Sequence, residues 1–202
     1  MKELMKKCSA LTGSIATGKS TVSGMFKELG AHIVDTDLIA REIVQPGQPA
    51  LDEIKNAFGK EIMNSDGTLN REVMRNIIID DPVKRQILNS ITHPHINSIA
   101  YKQAEKYLNS DSKPVIMDIP LLFEVGSSKM FSTIILVHTP VEKQVKQLMK
   151  RDGIDKMTAE RTIKFQMDIE EKKSGSTYVI DNSGSIENTR KQVVKIYKLL
   201  CK

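Results

Sequence analysis

The sequence predicts an α/β protein in which a five-stranded parallel sheet is flanked by helices. Three observations lead there. Five short apolar runs rich in Val and Ile each end in a turn signal or a small polar residue, long amphipathic segments separate them, and a glycine-framed stretch joins the first run to the first helical segment. The runs are Cys8–Thr12, His32–Asp35, Val115–Ile119, Ile134–His138 and Tyr178–Asp181. Runs this short and continuous suit strands covered on both faces. Between them, Thr21–Leu29, Val141–Met149 and Ile186–Leu200 place apolar residues three and four apart, the spacing of amphipathic helices. Alternation of the two kinds predicts right-handed crossovers within one doubly wound sheet.

The interval from Asp37 to Val115 is far longer than the dozen or so residues a simple crossover needs. Apolar residues recur through it, and turn signals at Pro46-Gly47, Asp66-Gly67, Asp81-Pro82 and His93-Pro94 divide it into several helices. An inserted helical region between the second and third strands follows. A second helical excursion covers Val141–Ser176. Its stretch Lys150–Lys173 is densely charged, with few bulky apolar residues, which predicts loose packing.

Composition narrows the function. The chain of 202 residues is 40% hydrophobic and 27% charged, the balance of a globular protein able to build its core without cross-links. Two cysteines, Cys8 and Cys201, cannot form a disulfide framework or a Cys/His metal site. No run approaches the length of a membrane span and no signal peptide is legible, so a soluble, cytoplasmic protein is expected. A net charge of +5 suits a phosphate-bearing partner, although solubility alone accounts for so mild an excess. An RGG tract and an aromatic-basic surface motif are both absent, and aromatics are 4% of the chain, which argues against nucleic acid.

The chemistry is carried by Gly13-Ser-Ile-Ala-Thr-Gly18-Lys19-Ser20, a match to G-x-x-x-x-G-K-[ST] set between a strand and a helix. Gly13 and Gly18 let the backbone turn so that successive N–H groups face phosphate oxygens, and the helix that follows adds its positive end. The nucleotide contacts are therefore assigned to Gly13, Ala16, Thr17, Gly18, Lys19, Ser20 and Thr21. Lys19 reaches the β- and γ-phosphates and the Ser20 hydroxyl ligates Mg²⁺ in such a loop. The signature predicts a P-loop NTPase fold. It leaves the reaction open: neither the guanine-reading Asn-Lys-x-Asp motif nor a transporter signature is present, so a kinase that closes over a small acceptor fits best.

Acceptor activation calls for a carboxylate at the strand ends. Asp35 and Asp37 close the second strand, and either could receive the hydroxyl proton; capping of the next helix is the alternative for each. Asp118, after Val-Ile-Met, resembles a Walker B position that holds Mg²⁺ through water.

With these residues in view, the sequence resembles the dephospho-coenzyme A kinase family over nearly its whole length. The resemblance is carried by LTGSIATGKSTV (Leu11–Val22), LGAHIVDTDLIARE (Leu29–Glu42), QPG (Gln45–Gly47), DGTLNR (Asp66–Arg71) and THPHI (Thr92–Ile96). It continues through DIPLLFE (Asp118–Glu124), Arg151-Asp152, Gln166-Met167 and VIDNSGS (Val179–Ser185). It implies transfer of the ATP γ-phosphate to the ribose 3′-hydroxyl of dephospho-coenzyme A, with Mg²⁺. It also implies a single kinase domain over residues 6–202: a core (6–40, 113–140 and 177–202), a helical acceptor-binding region (41–112) and a helical lid (141–176). By position, Asp37 falls where the family places its candidate base, Arg41 lies one turn further on, and Asn182 falls in the loop expected to meet adenine. Ser14 and Ala16 stand where the family commonly has glycine, and Ser176-Thr177 where it often has Ala-Asp, so no carboxylate role is carried there.

Planar contacts to phosphate favour arginine over lysine, and only seven arginines are present. Arg151 is the candidate lid arginine, with a solvated helix end as the alternative. Arg71 and Arg75, one turn apart, are candidates for the acceptor's pyrophosphate. His93 and His95 are expected at a helix start, and Glu124 either reaches the cleft or caps a turn. A nucleoside monophosphate kinase and a non-catalytic nucleotide-binding switch are the competing readings.

Overall fold

The structure, a computed structural model, describes residues 2–201. Its five strands are β1 (Ser9–Gly13), β2 (His32–Asp35), β3 (Val115–Asp118), β4 (Thr133–His138) and β5 (Tyr178–Asp181), in the sheet order β2-β3-β1-β4-β5. The pairings are parallel, with Leu11 beside Asp118 on one side and Ile135 on the other. All of β1 and β3 is buried, which is why both read as continuous apolar runs rather than alternating ones.

The described residues also form ten α-helices: α1 (Lys2–Lys6), α2 (Lys19–Glu28), α3 (Thr36–Glu42), α4 (Pro49–Phe58), α5 (Arg71–Ile79), α6 (Pro82–Leu108), α7 (Val141–Asp152), α8 (Lys156–Lys164), α9 (Ile169–Ser174) and α10 (Ile186–Leu200). The chain divides into two compact units, Asp35–Gln103 and the remainder on either side of it.

In the sheet-bearing unit, α2 and α10 send Val22, Met25, Phe26, Val193 and Ile196 against Leu11, Ile116, Ile135, Val137 and Ile180. These apolar residues recur at helical spacing, so a single stripe of each helix is buried. Phe26 is fully enclosed, and its truncation to Ala would cost about 3–5 kcal/mol. A smaller cluster forms around Ala10, Leu122 and Ile134, with Phe123 and Phe131 packed on it. Together these clusters fix the carboxyl ends of β1, β3 and β4, where the phosphate loop emerges.

The unit Asp35–Gln103 is helical. Gln48 precedes Pro49 at the first position of α4, where the missing N–H costs nothing, and Ala50, Leu51 and Ile54 form the helix's buried face. Asn70 caps α5 by accepting the Val73 N–H at 3.0 Å. The Asp66-Gly67 turn forms as predicted: Gly67 takes φ +80, and the Asn64 N–H donates to the Thr68 carbonyl at 2.8 Å.

Two expectations are corrected. His93-Pro94 does not break the chain, because α6 runs through it for 27 residues with Pro94 inside. The proline removes one N–H from the ladder, and the helix continues on its remaining bonds. His93 and His95 therefore lie within a helix rather than at its start, and His95 pairs with Glu53 at 3.0 Å. The Lys150–Lys173 stretch is also not loose. Ala159 is fully buried beside Leu148, and the Lys172 side chain is 0% exposed. Among the described residues, no helix is long and apolar enough to cross a membrane.

Candidate active site

The phosphate loop leaves β1 at Gly13 and enters α2 at Lys19. A Cβ on Gly13 would stand 2.7 Å from Thr17 Oγ1 and 3.0 Å from the Val137 carbonyl, so only glycine fits against β4. Gly18 adopts φ +83, and a Cβ there would run into Asn182 Nδ2. No side chain caps the start of α2. Its first N–H groups are therefore left for a phosphate, and the helix dipole favours an anion at the same place.

The loop is tied down through its Thr17 carbonyl. Asn182 Nδ2 and Thr139 Oγ1 both donate to the Thr17 carbonyl, at 2.8 and 3.2 Å. Asn182 Oδ1 in turn accepts the Thr189 hydroxyl at 2.8 Å. The amide of Asn182 is thus engaged at both ends, which makes it a tether of the phosphate loop within the segment after β5. Asp181, beside it, accepts the Ser183 N–H at 2.8 Å, and its bonds to Ser183 hold its carboxyl below the usual carboxylate range.

Lys19 Nζ pairs with Asp118 Oδ1 at the carboxyl end of β3. Asp118 is 3% exposed, and its alignment with Leu11 in the sheet is what carries it to the loop. Ser20 and Thr21 are exposed at the head of α2. An exposed hydroxyl and a buried carboxylate are the hard oxygen donors Mg²⁺ takes when most of its shell is phosphate and water. The donor set therefore fits that ion.

A second group of contacts joins α7, α8 and the segment after α8 to the loop. Ile15 and Ala16 pack on the cluster of Val145, Leu148 and Ala159, and Gln166 Oε1 accepts the Ile15 N–H at 2.7 Å. Glu124, six residues after Asp118, places Oε1 2.7 Å from Lys172 Nζ and accepts the Met167 N–H at 3.1 Å. Glu124 is thus the partner of a buried ammonium and of a turn N–H. Arg151 is bidentate to its neighbour Asp152, at 2.7 and 3.0 Å, and shares no hydrogen bond or ion pair with the phosphate loop.

The other sequence candidates lie in the helical unit. Asp35 caps α3, its Oδ1 accepting the Asp37 and Leu38 N–H groups at 2.9 and 3.0 Å. Asp37 and Arg41 are exposed on α3, and neither side chain has a hydrogen-bond or ion-pair partner within this unit. Arg71 and Arg75 share one face of α5 and line a cleft of about 200 Å³ with Val44, Ile54, Met74 and Leu88. An apolar cleft edged by two guanidinium groups suits a ligand that carries both an anionic and an apolar part.

The structure brings Lys19 and Asp118 together and places Asn182, for which the resemblance implied an adenine contact, against the same loop. Sequence reasoning left Glu124 undecided and did not find Lys172, because a lysine in a charged stretch reads as solvated. Gln166 stood out only through the family resemblance.

A parallel sheet, a G-x-x-x-x-G-K-S loop at its carboxyl edge and a lysine held on a strand-end aspartate define a P-loop nucleotide-binding protein. Comparison with known proteins extends this. The dephospho-CoA kinase family profile matches residues 7–188. A dephospho-CoA kinase of Listeria monocytogenes is 43% identical over 98% of this chain and 99% of its own. A dephospho-CoA kinase structure from Campylobacter jejuni superposes with a TM-score of 0.71 at 27% identity, covering 98% of each chain. A shikimate kinase from Acinetobacter baumannii shares the fold alone, with a TM-score of 0.50 at 15% identity over 99% of this chain and 97% of its own. The chain belongs to the dephospho-CoA kinase family.

Proposed function

We propose that this chain transfers the γ-phosphate of ATP to the ribose 3′-hydroxyl of dephospho-CoA, yielding CoA and ADP as the last step of CoA synthesis. The observation that carries the reading is the phosphate loop of β1 with Lys19 held on Asp118, in a chain that matches this family along nearly its whole length. The free N–H groups at the head of α2 bind and orient the phosphates. Lys19 shifts from Asp118 toward the β- and γ-phosphates, where its charge offsets the negative charge that builds on the leaving oxygen. The acceptor oxygen forms a bond to the γ-phosphorus as the bond to the bridging oxygen breaks, and the hydroxyl proton passes to Asp37. Asp35 fixes the start of α3 and thereby the placing of Asp37. Arg41, Arg71 and Arg75 hold the acceptor's phosphates, and the apolar lining beside Arg71 and Arg75 takes its uncharged part. Arg151 is the lid's cation toward the transferring group, and the segment after β5 that begins at Asn182 receives adenine. Ser20, and Asp118 through water, would hold Mg²⁺, which when bound neutralises phosphate charge and aligns the terminal group.

The domain reading goes with this: residues 41–112 bind the acceptor and 141–176 act as the lid over the core. Neither nucleic acid nor membrane is needed as a partner, and the setting is the cytoplasm. The test is incubation with MgATP and dephospho-CoA, followed by mass spectrometry for CoA and ADP, with nucleoside monophosphates as competing acceptors. CoA formation with preference for dephospho-CoA is expected. Preferred phosphorylation of a monophosphate, or no transfer to either, overturns the proposal. Asp37→Asn is expected to leave MgATP affinity unchanged and to slow turnover at least a hundredfold; unchanged turnover removes Asp37 from the base role.

A further inference from the structure

The tip of the phosphate loop is a tight turn, with the Thr17 N–H donating to the Ser14 carbonyl at 3.2 Å. Ile15 and Ala16 are its two corners. Ala16 has φ +59, the only non-glycine residue with positive φ among those described. A Cβ in the left-handed region crowds the following carbonyl, so this corner is strained and other contacts must hold it.

Those contacts come from α8 and the α8–α9 connection. Gln166 Oε1 accepts the Ile15 N–H at 2.7 Å, at the corner next to the strained one. Ala159 and Ile163 of α8 belong to the apolar cluster that receives Ile15 and Ala16. Gln166 is itself anchored on both sides. Its own N–H donates to the Ile163 carbonyl at 3.0 Å, and the Met167 N–H donates to Glu124 Oε1 at 3.1 Å. Glu124 is fixed by Lys172, whose side chain is 0% exposed. Ile15 is only half-buried, so water could satisfy its N–H if the glutamine were absent. The bond therefore adds little to global stability, and its main effect is on the shape of the loop.

We propose that Gln166 is a positioning residue for phosphoryl transfer: its side-chain carbonyl braces the Ser14–Thr17 turn through Ile15 and holds left-handed Ala16 in the phosphate-receiving conformation. This rests on the phosphate-binding reading of the loop. The test uses Gln166→Met, which keeps length and loses the strong acceptor, and Gln166→Glu, which keeps an acceptor oxygen. Ala16→Gly is made in wild-type and Gln166→Met backgrounds.

Calorimetric titration with MgATP is expected to show affinity reduced about fivefold in Gln166→Met, the weight of one ordinary hydrogen bond. Ile15 amide exchange should accelerate at least tenfold in Gln166→Met and stay slow in Gln166→Glu, a readout that needs neither turnover nor nucleotide. In the Ala16→Gly background the affinity loss should shrink to less than twofold, because glycine occupies the left-handed corner without strain. Unchanged or tighter MgATP binding in Gln166→Met, unchanged Ile15 exchange, or an equal loss in both backgrounds overturns the proposal. Failure of the wild-type protein to bind MgATP is a separate result, and it overturns the phosphate-binding reading itself.

Discussion

Glu124→Ala removes the counter-charge of an ammonium that has no access to water. Lys172 is 0% exposed and Glu124 19%, with 2.7 Å between the charged atoms. Losing one partner of a buried pair destabilises by about 3–5 kcal/mol. Because the glutamate is partly open to solvent, water entering the vacated space offsets some of this, and the lower end, about 3 kcal/mol, applies. The same carboxylate oxygen accepts the Met167 N–H, whose loss adds on the order of 1 kcal/mol. For a chain of 202 residues each kcal/mol moves the melting temperature by about 2–4 °C, so a fall of roughly 8–16 °C is expected. Thermal unfolding followed by circular dichroism at neutral pH measures it. The double variant Glu124→Leu with Lys172→Met buries no charge and should recover most of the loss. A fall below about 3 °C for Glu124→Ala, or a double variant no better than the single, would refute the reasoning.

Other outcomes follow from the site. Lys19→Met should lower turnover by about 10²–10³-fold, because the charge beside the transferring phosphate is lost; steady-state ADP release measures it. Arg71→Met and Arg75→Met should each raise the acceptor's KM about tenfold or more while leaving that for ATP unchanged, since charge-assisted hydrogen bonds to phosphate are the stronger kind. Burial pushes the Cys8 thiol from its ordinary 9.0 up to about 11, so in the native protein a thiol-specific reagent at pH 8 should titrate Cys201 alone. The raised value also sets a sign. The unfolded chain loses the thiol proton first, so the stability contributed by neutral Cys8 is whole below pH 9 and is lost as pH rises toward 11. A Cys8→Ala variant should show a flatter alkaline limb in chemical unfolding.

What could be read in advance was whatever the chain expresses locally. Buried parallel strands print as uninterrupted Val and Ile runs, so the ends of β2 and β5 coincide with their runs and β1 is displaced by one residue. The phosphate loop is contiguous, and its glycines declare its backbone. Pro94 misled because a proline's cost is local whereas the packing that keeps α6 continuous is not. The Glu124–Lys172 pair was illegible for a similar reason: 47 residues separate the partners, and a lysine among charges gives no sign that its own side chain is enclosed. Asp35 shows the opposite limit. Capping and proton transfer use the same residue type at the same position, so only the bonds to the Asp37 and Leu38 N–H groups establish the cap.

The central place of β1 constrains how the molecule can be made. Of the five described strands it leaves the ribosome first, yet its two neighbours in the sheet begin at Val115 and Thr133, and the tether on Thr17 comes from Asn182. Roughly a hundred further residues must be synthesised before that strand has any edge to pair with, and Asn182 must follow before the phosphate loop is tethered. Until then the nascent chain carries an apolar, unpaired segment, the kind of surface that chaperones shield. Chains cut short before the last strand should accumulate as aggregation-prone forms that cannot recognise nucleotide.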